Sequence, residues 1–170
     1  MSEANNNSNN NNEQRHPLQD ANIINALAEG ISNTLHEMAQ IQCKFDKPFV
    51  ERNWKPVADG TGVMEMKSAK HRGFLHIHFP KDAIVKIIGN MLGETPKEFN
   101  NEILDGIGEI TNIVYGAMKA KLNPMGYDFK MASPTAEFTK NLNQLERTNK
   151  QLVIPFQIQE WKCYIEVILI

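Results

Sequence analysis

Three stretches of the chain carry apolar residues at helical spacing. Ile23, Ile24, Leu27, Ile31, Leu35 and Met38 recur every three or four residues and predict an amphipathic helix from Asn22 to Ala39. Ala83, Ile84, Ile87, Ile88 and Met91 do the same over Lys81 to Leu92, with Gly93 as a cap just beyond. The longest runs from Glu102 to Leu122, where Ile103, Ile107, Ile110, Val114, Ala117 and Met118 gather on one side and Leu104 and Leu122 flank them. Asn123-Pro124-Met125-Gly126 ends it. Ahead of this helix, Thr95-Pro96-Lys97-Glu98 reads as a capping box that starts a further helical turn, and Asn100 is an alternative N-cap.

Elsewhere the period is two. Thr61 to Lys67 and Arg72 to Phe79, joined by the polar turn Ser68-Ala69-Lys70-His71, predict a β-hairpin; Pro48 to Glu51, Phe129 to Ala132, Thr135 to Thr139, Leu152 to Phe156 and Trp161 to Ile170 predict further strands, with Leu142 to Lys150 as a polar connection. The sum is an α+β fold: a mainly antiparallel sheet with two long helices, Asn22 to Ala39 and Glu102 to Leu122, packed on it. Asn5 to Asn12 is low-complexity sequence without apolar periodicity, so residues 1–17 read as a disordered tail and residues 18–170 as one domain. Tyr164 to Ile170 is nearly continuous apolar sequence broken by Glu166; it needs either a place inside the sheet or a partner at its edge.

Charge and composition narrow the partners. The formal net charge is -2 and there is no long Lys/Arg run, which argues against nucleic acid or an anionic membrane held by bulk electrostatics. Two cysteines without a CxxC pair offer neither a disulfide framework nor a zinc site of the usual spacing. No signal-peptide pattern is present and no window of about 18 apolar residues occurs. A cytoplasmic protein is expected. His76 and His78 share one face of a strand and could supply two metal ligands, but only His36 and His71 offer themselves as a third, and no metal is expected.

The other side of the longest helix is equally coherent. Asp105, Glu109, Asn112, Gly116 and Lys119 fall in a strip roughly 80° wide, facing away from the apolar stripe. Glu109 and Asn112, three residues apart, emerge as neighbours. Asn and Gly are both poor residues for a helix interior, and Gly costs about 1 kcal/mol relative to Ala; a carboxylate and an amide beside a bare patch suit close docking of another protein.

Gly108-Glu109-Ile110-Thr111-Asn112-Ile113-Val114-Tyr115-Gly116 resembles the CheX branch of the CheC/CheX/FliY chemotaxis phosphatases, whose motif is Glu-x-x-Asn on a long helix, commonly after a Gly and followed four residues later by another. The similarity extends over roughly residues 18–170, through a leading helix, a hairpin ending in Phe79-Pro80, a helix closing with Met91-Leu92-Gly93, and terminal strands. CheC-like members carry two such motifs; here Glu29-Gly30-Ile31-Ser32 lacks the Asn, so one site per chain is implied. The chain departs from the pattern at Tyr115, where a small residue is expected beside the docking surface.

The resemblance implies a protein-aspartyl-phosphate phosphatase acting on a CheY-like receiver domain. Asn112 would position the attacking water and Glu109 would meet the receiver's active-site Lys, with Asp105, Gly116 and Lys119 in the docking face. No cofactor of its own is implied, magnesium being part of the receiver, and the chain would form a homodimer with a sheet continued or strands exchanged between copies. The alternative is a receiver-binding adaptor of the same fold without hydrolysis. Which receiver is the substrate is not written in the sequence.

Overall fold

A computed structural model describes residues 17–142 and 149–170; the Asn-rich tail and most of the polar connection after Leu142 lie outside the described residues. Alternation of apolar side chains sorts each strand into two faces, and the helices cover one of them. In chain order the elements are α1 (Ala21–Ala39), β1 (Lys44–Phe45), β2 (Phe49–Arg52), β3 (Gly60–Lys67), β4 (Arg72–Phe79), α2 (Lys81–Leu92), α3 (Asn101–Leu122), β5 (Thr135–Phe138), β6 (Lys150–Ile158) and β7 (Trp161–Leu169). All strand pairs are antiparallel, in the order β1-β6-β7-β4-β3-β5, with β2 also pairing β6.

The core lies between the helices and that one face. Met64 and Met66 of β3, Leu75, Ile77 and Phe79 of β4, Leu152, Ile154 and Phe156 of β6, and Ile165 and Val167 of β7 meet the apolar stripes of α1, α2 and α3. Ile103, Ile107, Ile110, Val114, Met118 and Leu122 of α3 are wholly buried. At about 1.5–3 kcal/mol per buried side chain, this stripe far outweighs the cost of the glycines that α3 carries, about 1 kcal/mol each. Ala117, expected in the stripe, instead lies exposed at its rim.

The apolar run ending the chain is settled inside the sheet. β7 pairs with β6 on one side and β4 on the other, and a strand covered on both faces reads as continuous hydrophobic sequence. The edges are β5 and the β1/β2 pair instead.

Two sequence expectations are corrected. Thr95-Pro96-Lys97-Glu98 forms no helical turn; Asn100 is the N-cap, its Oδ1 accepting from the backbone N–H groups of Glu102 and Ile103 at 3.1 and 3.4 Å, which satisfies orphan donors at the start of α3 itself. Phe129 to Ala132 is no strand either: it is tied down by single bonds, Lys130 N–H to Lys67 O at 2.8 Å and Phe129 N–H to Asn123 Oδ1 at 2.8 Å, rather than by a ladder.

The height of α3 above the sheet is set where Gly62 of β3 faces Thr111. A Cβ built on Gly62 would stand 1.9 Å from Thr111 Oγ1, and that hydroxyl is held by its own hydrogen bond to Ile107 O at 2.8 Å. Gly62→Ala is therefore expected to destabilise the fold by on the order of 1–3 kcal/mol, as overpacking does, lowering the thermal midpoint by about 3 °C per kcal/mol in a chain of this size. Adding Thr111→Ala should restore part of the loss, measured as a double-mutant cycle by calorimetry.

Candidate functional site

The strip read from the sequence exists on the structure. Asp105, Glu109 and Gly116 are exposed, Asn112 and Lys119 half-buried, and all five lie on the side of α3 turned away from the sheet. The side chains of Glu109 and Asn112 have no hydrogen-bond, ion-pair or ring partner among the described residues. A Cβ added at Gly116 would meet nothing within 4 Å. The result is a carboxylate and an amide with their full hydrogen-bonding capacity available, beside a stretch of bare helix backbone. A groove of about 840 Å³ elsewhere on the molecule, between the end of α1, α2 and Trp161, is lined by Glu37, Asp82, Lys86 and Asn90 and by neither Glu109 nor Asn112.

Tyr115 does not belong to this surface. It is 2% exposed, its hydroxyl donates to Lys130 O at 2.8 Å, and burial raises its phenol pKa. Lys119 Nζ lies 5.9 Å from its ring centroid. The bulk that departs from the motif is thus absorbed between α3 and the segment after it, with Lys119 alone of the strip resting near its ring. The echo in α1 is likewise structural. Gly30 allows α1 to close on α3, its would-be Cβ lying 3.3 Å from Val114 O and 3.7 Å from Ala117 Cβ, while Glu29 pairs with Lys121 of α3.

A second constellation, which the sequence showed only in part, lies on the sheet face opposite the helices. His76 Nδ1 and His78 Nε2 of β4 stand 2.8 and 2.9 Å from the same oxygen, Glu166 Oε2 of β7. Gln151 Nε2 donates to Glu166 Oε1 at 2.6 Å, and the Trp54 N–H donates to Gln151 Oε1 at 2.8 Å. Thr61 Oγ1 lies 2.8 Å from both His78 Nδ1 and Thr139 Oγ1. His76, His78, Gln151 and Glu166 are each at most 3% exposed. Burial alone would raise the Glu166 pKa, but the two imidazoles bonded to it hold it well below the usual carboxylate range. His36 and His71, the third-ligand candidates in the sequence, do not belong to this group. The missing member was Glu166. Its signal was a single carboxylate inside an apolar strand, and a buried charge demands a partner.

Residues 61–157 match the family model described as chemotaxis phosphatase CheX. Chemotaxis protein CheX from Vibrio vulnificus is 32% identical over 88% of this chain and 100% of its own, with a TM-score of 0.80. A CheC-like superfamily protein from Shewanella sp. PV-4 is 30% identical over 89% and 99%, with a TM-score of 0.79. A CheX from Borrelia burgdorferi, in a complex with CheY, BeF3 and Mg2+, shares the fold at 16% identity over 86% and 97%, with a TM-score of 0.72. No curated protein sequence matches the chain significantly.

Because neither Glu109 nor Asn112 supports the fold through a partner, Glu109→Ala and Asn112→Ala should each change unfolding free energy by no more than about 0.5 kcal/mol, as for other surface positions. Urea denaturation checks this. A loss above about 1 kcal/mol, the worth of a typical hydrogen bond, would show that the residue serves the fold.

Proposed function

The chain belongs to the CheX family of chemotaxis phosphatases, and from that premise we propose that it hydrolyses the aspartyl phosphate of a CheY-like receiver domain. The observation that carries this reading is the unpartnered pair Glu109 and Asn112 on the outward helix face beside bare Gly116. The complex of the Borrelia burgdorferi CheX with CheY, BeF3 and Mg2+ supports the choice of partner.

In this reading the receiver brings its own magnesium, Lys and hydroxyl residue, which stabilise the transferring phosphoryl group, and lacks a positioned water. Asn112 Oδ1 accepts one hydrogen of a water and turns its lone pair toward phosphorus. Attack forms the new P–O bond as the bond to the aspartate oxygen breaks, giving inorganic phosphate and a free carboxylate. A neutral amide adds no negative charge next to the phosphoryl oxygens, so its contribution is positional, as with the glutamine that orients water in GTPases. Glu109, longer and exposed, pairs with the receiver's Lys and sets the register, while Asp105, Gly116 and Lys119 complete the contact. This step asks no cofactor of the chain.

We place the protein in the cytoplasm, which suits its two free thiols; no helix among the described residues is long and apolar enough to cross a membrane. It assembles as a homodimer in this reading. Open sheet edges are available for it, and the β1/β2 edge carries Phe45, Phe49 and Val50, each more than one-third exposed. Sedimentation at micromolar concentration should give a dimer, and a monomer at every concentration would remove this part of the proposal.

The catalytic pair should fail in two ways. Asn112→Ala is expected to slow release of phosphate from a phosphorylated receiver by about 100-fold or more, the scale of lost positioning, with receiver affinity nearly unchanged. Asn112→Gln, which moves the amide by a methylene, should rescue little. Glu109→Ala should also weaken docking, by about 1.5–3 kcal/mol for a charge-assisted hydrogen bond. If Asn112→Ala works as fast as the unmodified chain, the catalytic assignment fails and the adaptor reading replaces it.

A further inference from the structure

We propose that His76, His78 and Glu166 form a buried zinc site that clamps β4 to β7 on the sheet face away from α3. The backbone brings the ligands together. His76 and Glu166 are directly opposed in the β4/β7 register, and His78 follows two residues after His76 on the same face of β4. One donor atom from each of the three lies within 4.8 Å of the others, in a site whose members are 0–3% exposed.

The donor set is the chemistry zinc selects, two imidazole nitrogens and a carboxylate oxygen. Zinc bonds of about 2.0–2.2 Å place tetrahedral ligand atoms about 3.3 Å apart, so on binding His76 Nδ1 and His78 Nε2 draw back from Glu166 Oε2 by about 0.5 Å from their 2.8 and 2.9 Å contacts, and the donor atoms, now within 4.8 Å of one another, close around the ion. Supporting groups stand behind two of the three ligands. On metal binding each neutral imidazole keeps its single proton and moves it to the other nitrogen. For His78 that nitrogen is Nδ1, which then donates to Thr61 Oγ1 at 2.8 Å, and Thr61 donates onward to Thr139 Oγ1 at 2.8 Å. Glu166 is held by Gln151, which is locked in turn by Trp54 N–H. Partners of this kind orient metal ligands and fix the tautomer.

Glu166 is wholly buried and no lysine or arginine among the described residues pairs with it, so its carboxylate is desolvated, at a cost, with only the two histidines as ionisable neighbours. A divalent cation between the three ligands offsets that cost directly. The site supplies three protein ligands and leaves the fourth tetrahedral position open. It joins two central strands, and through Gln151 it ties down Trp54, whose ring packs against His78 and Tyr164 at 5.8 and 5.0 Å. It is independent of the receiver reading, because neither Glu109 nor Asn112 takes part.

The full-length protein, purified without a metal-affinity tag, should contain one zinc per chain by elemental analysis. After treatment with a chelator, cobalt(II) added at one equivalent should give the visible ligand-field bands of a low-coordinate site, and zinc should displace it and raise the unfolding midpoint by several degrees. Glu166→Gln keeps the shape of the side chain and should bind zinc at least about tenfold more weakly, since loss of a mere supporting partner already costs about 10–100-fold. His71→Ala and His36→Ala should leave stoichiometry and cobalt spectrum unchanged. The cobalt spectrum of the unmodified protein keeps the test valid if a variant does not fold. No cobalt bands with no zinc-dependent rise in the midpoint, or zinc content that Glu166→Gln leaves intact, would overturn the site in favour of a hydrogen-bonded cluster alone.

Discussion

The close seating of α3 on β3 is the constraint on which the molecule depends. Thr111 fills the space left by Gly62, and its hydroxyl turns back to Ile107 O rather than standing unpaired in the core. Glu109 lies two residues before Thr111 and Asn112 one after it, about 160° and 100° around the helix at 3.6 residues per turn, so the rotation that buries Thr111 carries both toward solvent. One contact thus fixes the depth of the apolar stripe and the direction of the opposite face. α1 closes against α3 at Gly30, which leaves α3 no freedom to roll.

A rigidly held helix face is suited to positional chemistry. Water placement has little tolerance for motion of the placing group, and side chains on helices packed into a core are more precisely held than side chains on loops. In the proposed reaction the charged apparatus stands on the receiver, and this chain completes it with an amide and a carboxylate.

The two faces of the sheet solve different problems. The helix side is held by apolar burial, which tolerates many sequences. On the other side ionisable groups from β4 and β7 are buried together, and each polar atom needs a partner of the right geometry. Gln151 and Thr61 supply partners from β6 and β3, so the cluster draws on four strands. Such a cluster specifies one register, because sliding β7 by a single residue would turn Glu166 into the apolar core.

The helices, the hairpin from Thr61 to Phe79 and the strip with Glu109 and Asn112 were legible in the sequence, because each rests on a local period in which neighbours three, four or two residues apart define a face. The α+β class followed from the same patterns. Three things were decided only by tertiary packing. The start of α3 fell to Asn100 rather than to the Thr95 capping box, since both are locally sound and the fold uses one. Tyr115 turned out buried beneath the segment it hydrogen-bonds, a contact made 15 residues along the chain. Glu166 joined His76 and His78 across 90 and 88 residues. Periodicity reports which side of an element a residue occupies and nothing about what stands across from it; that depends on strand order, which arises from the packing of the whole sheet.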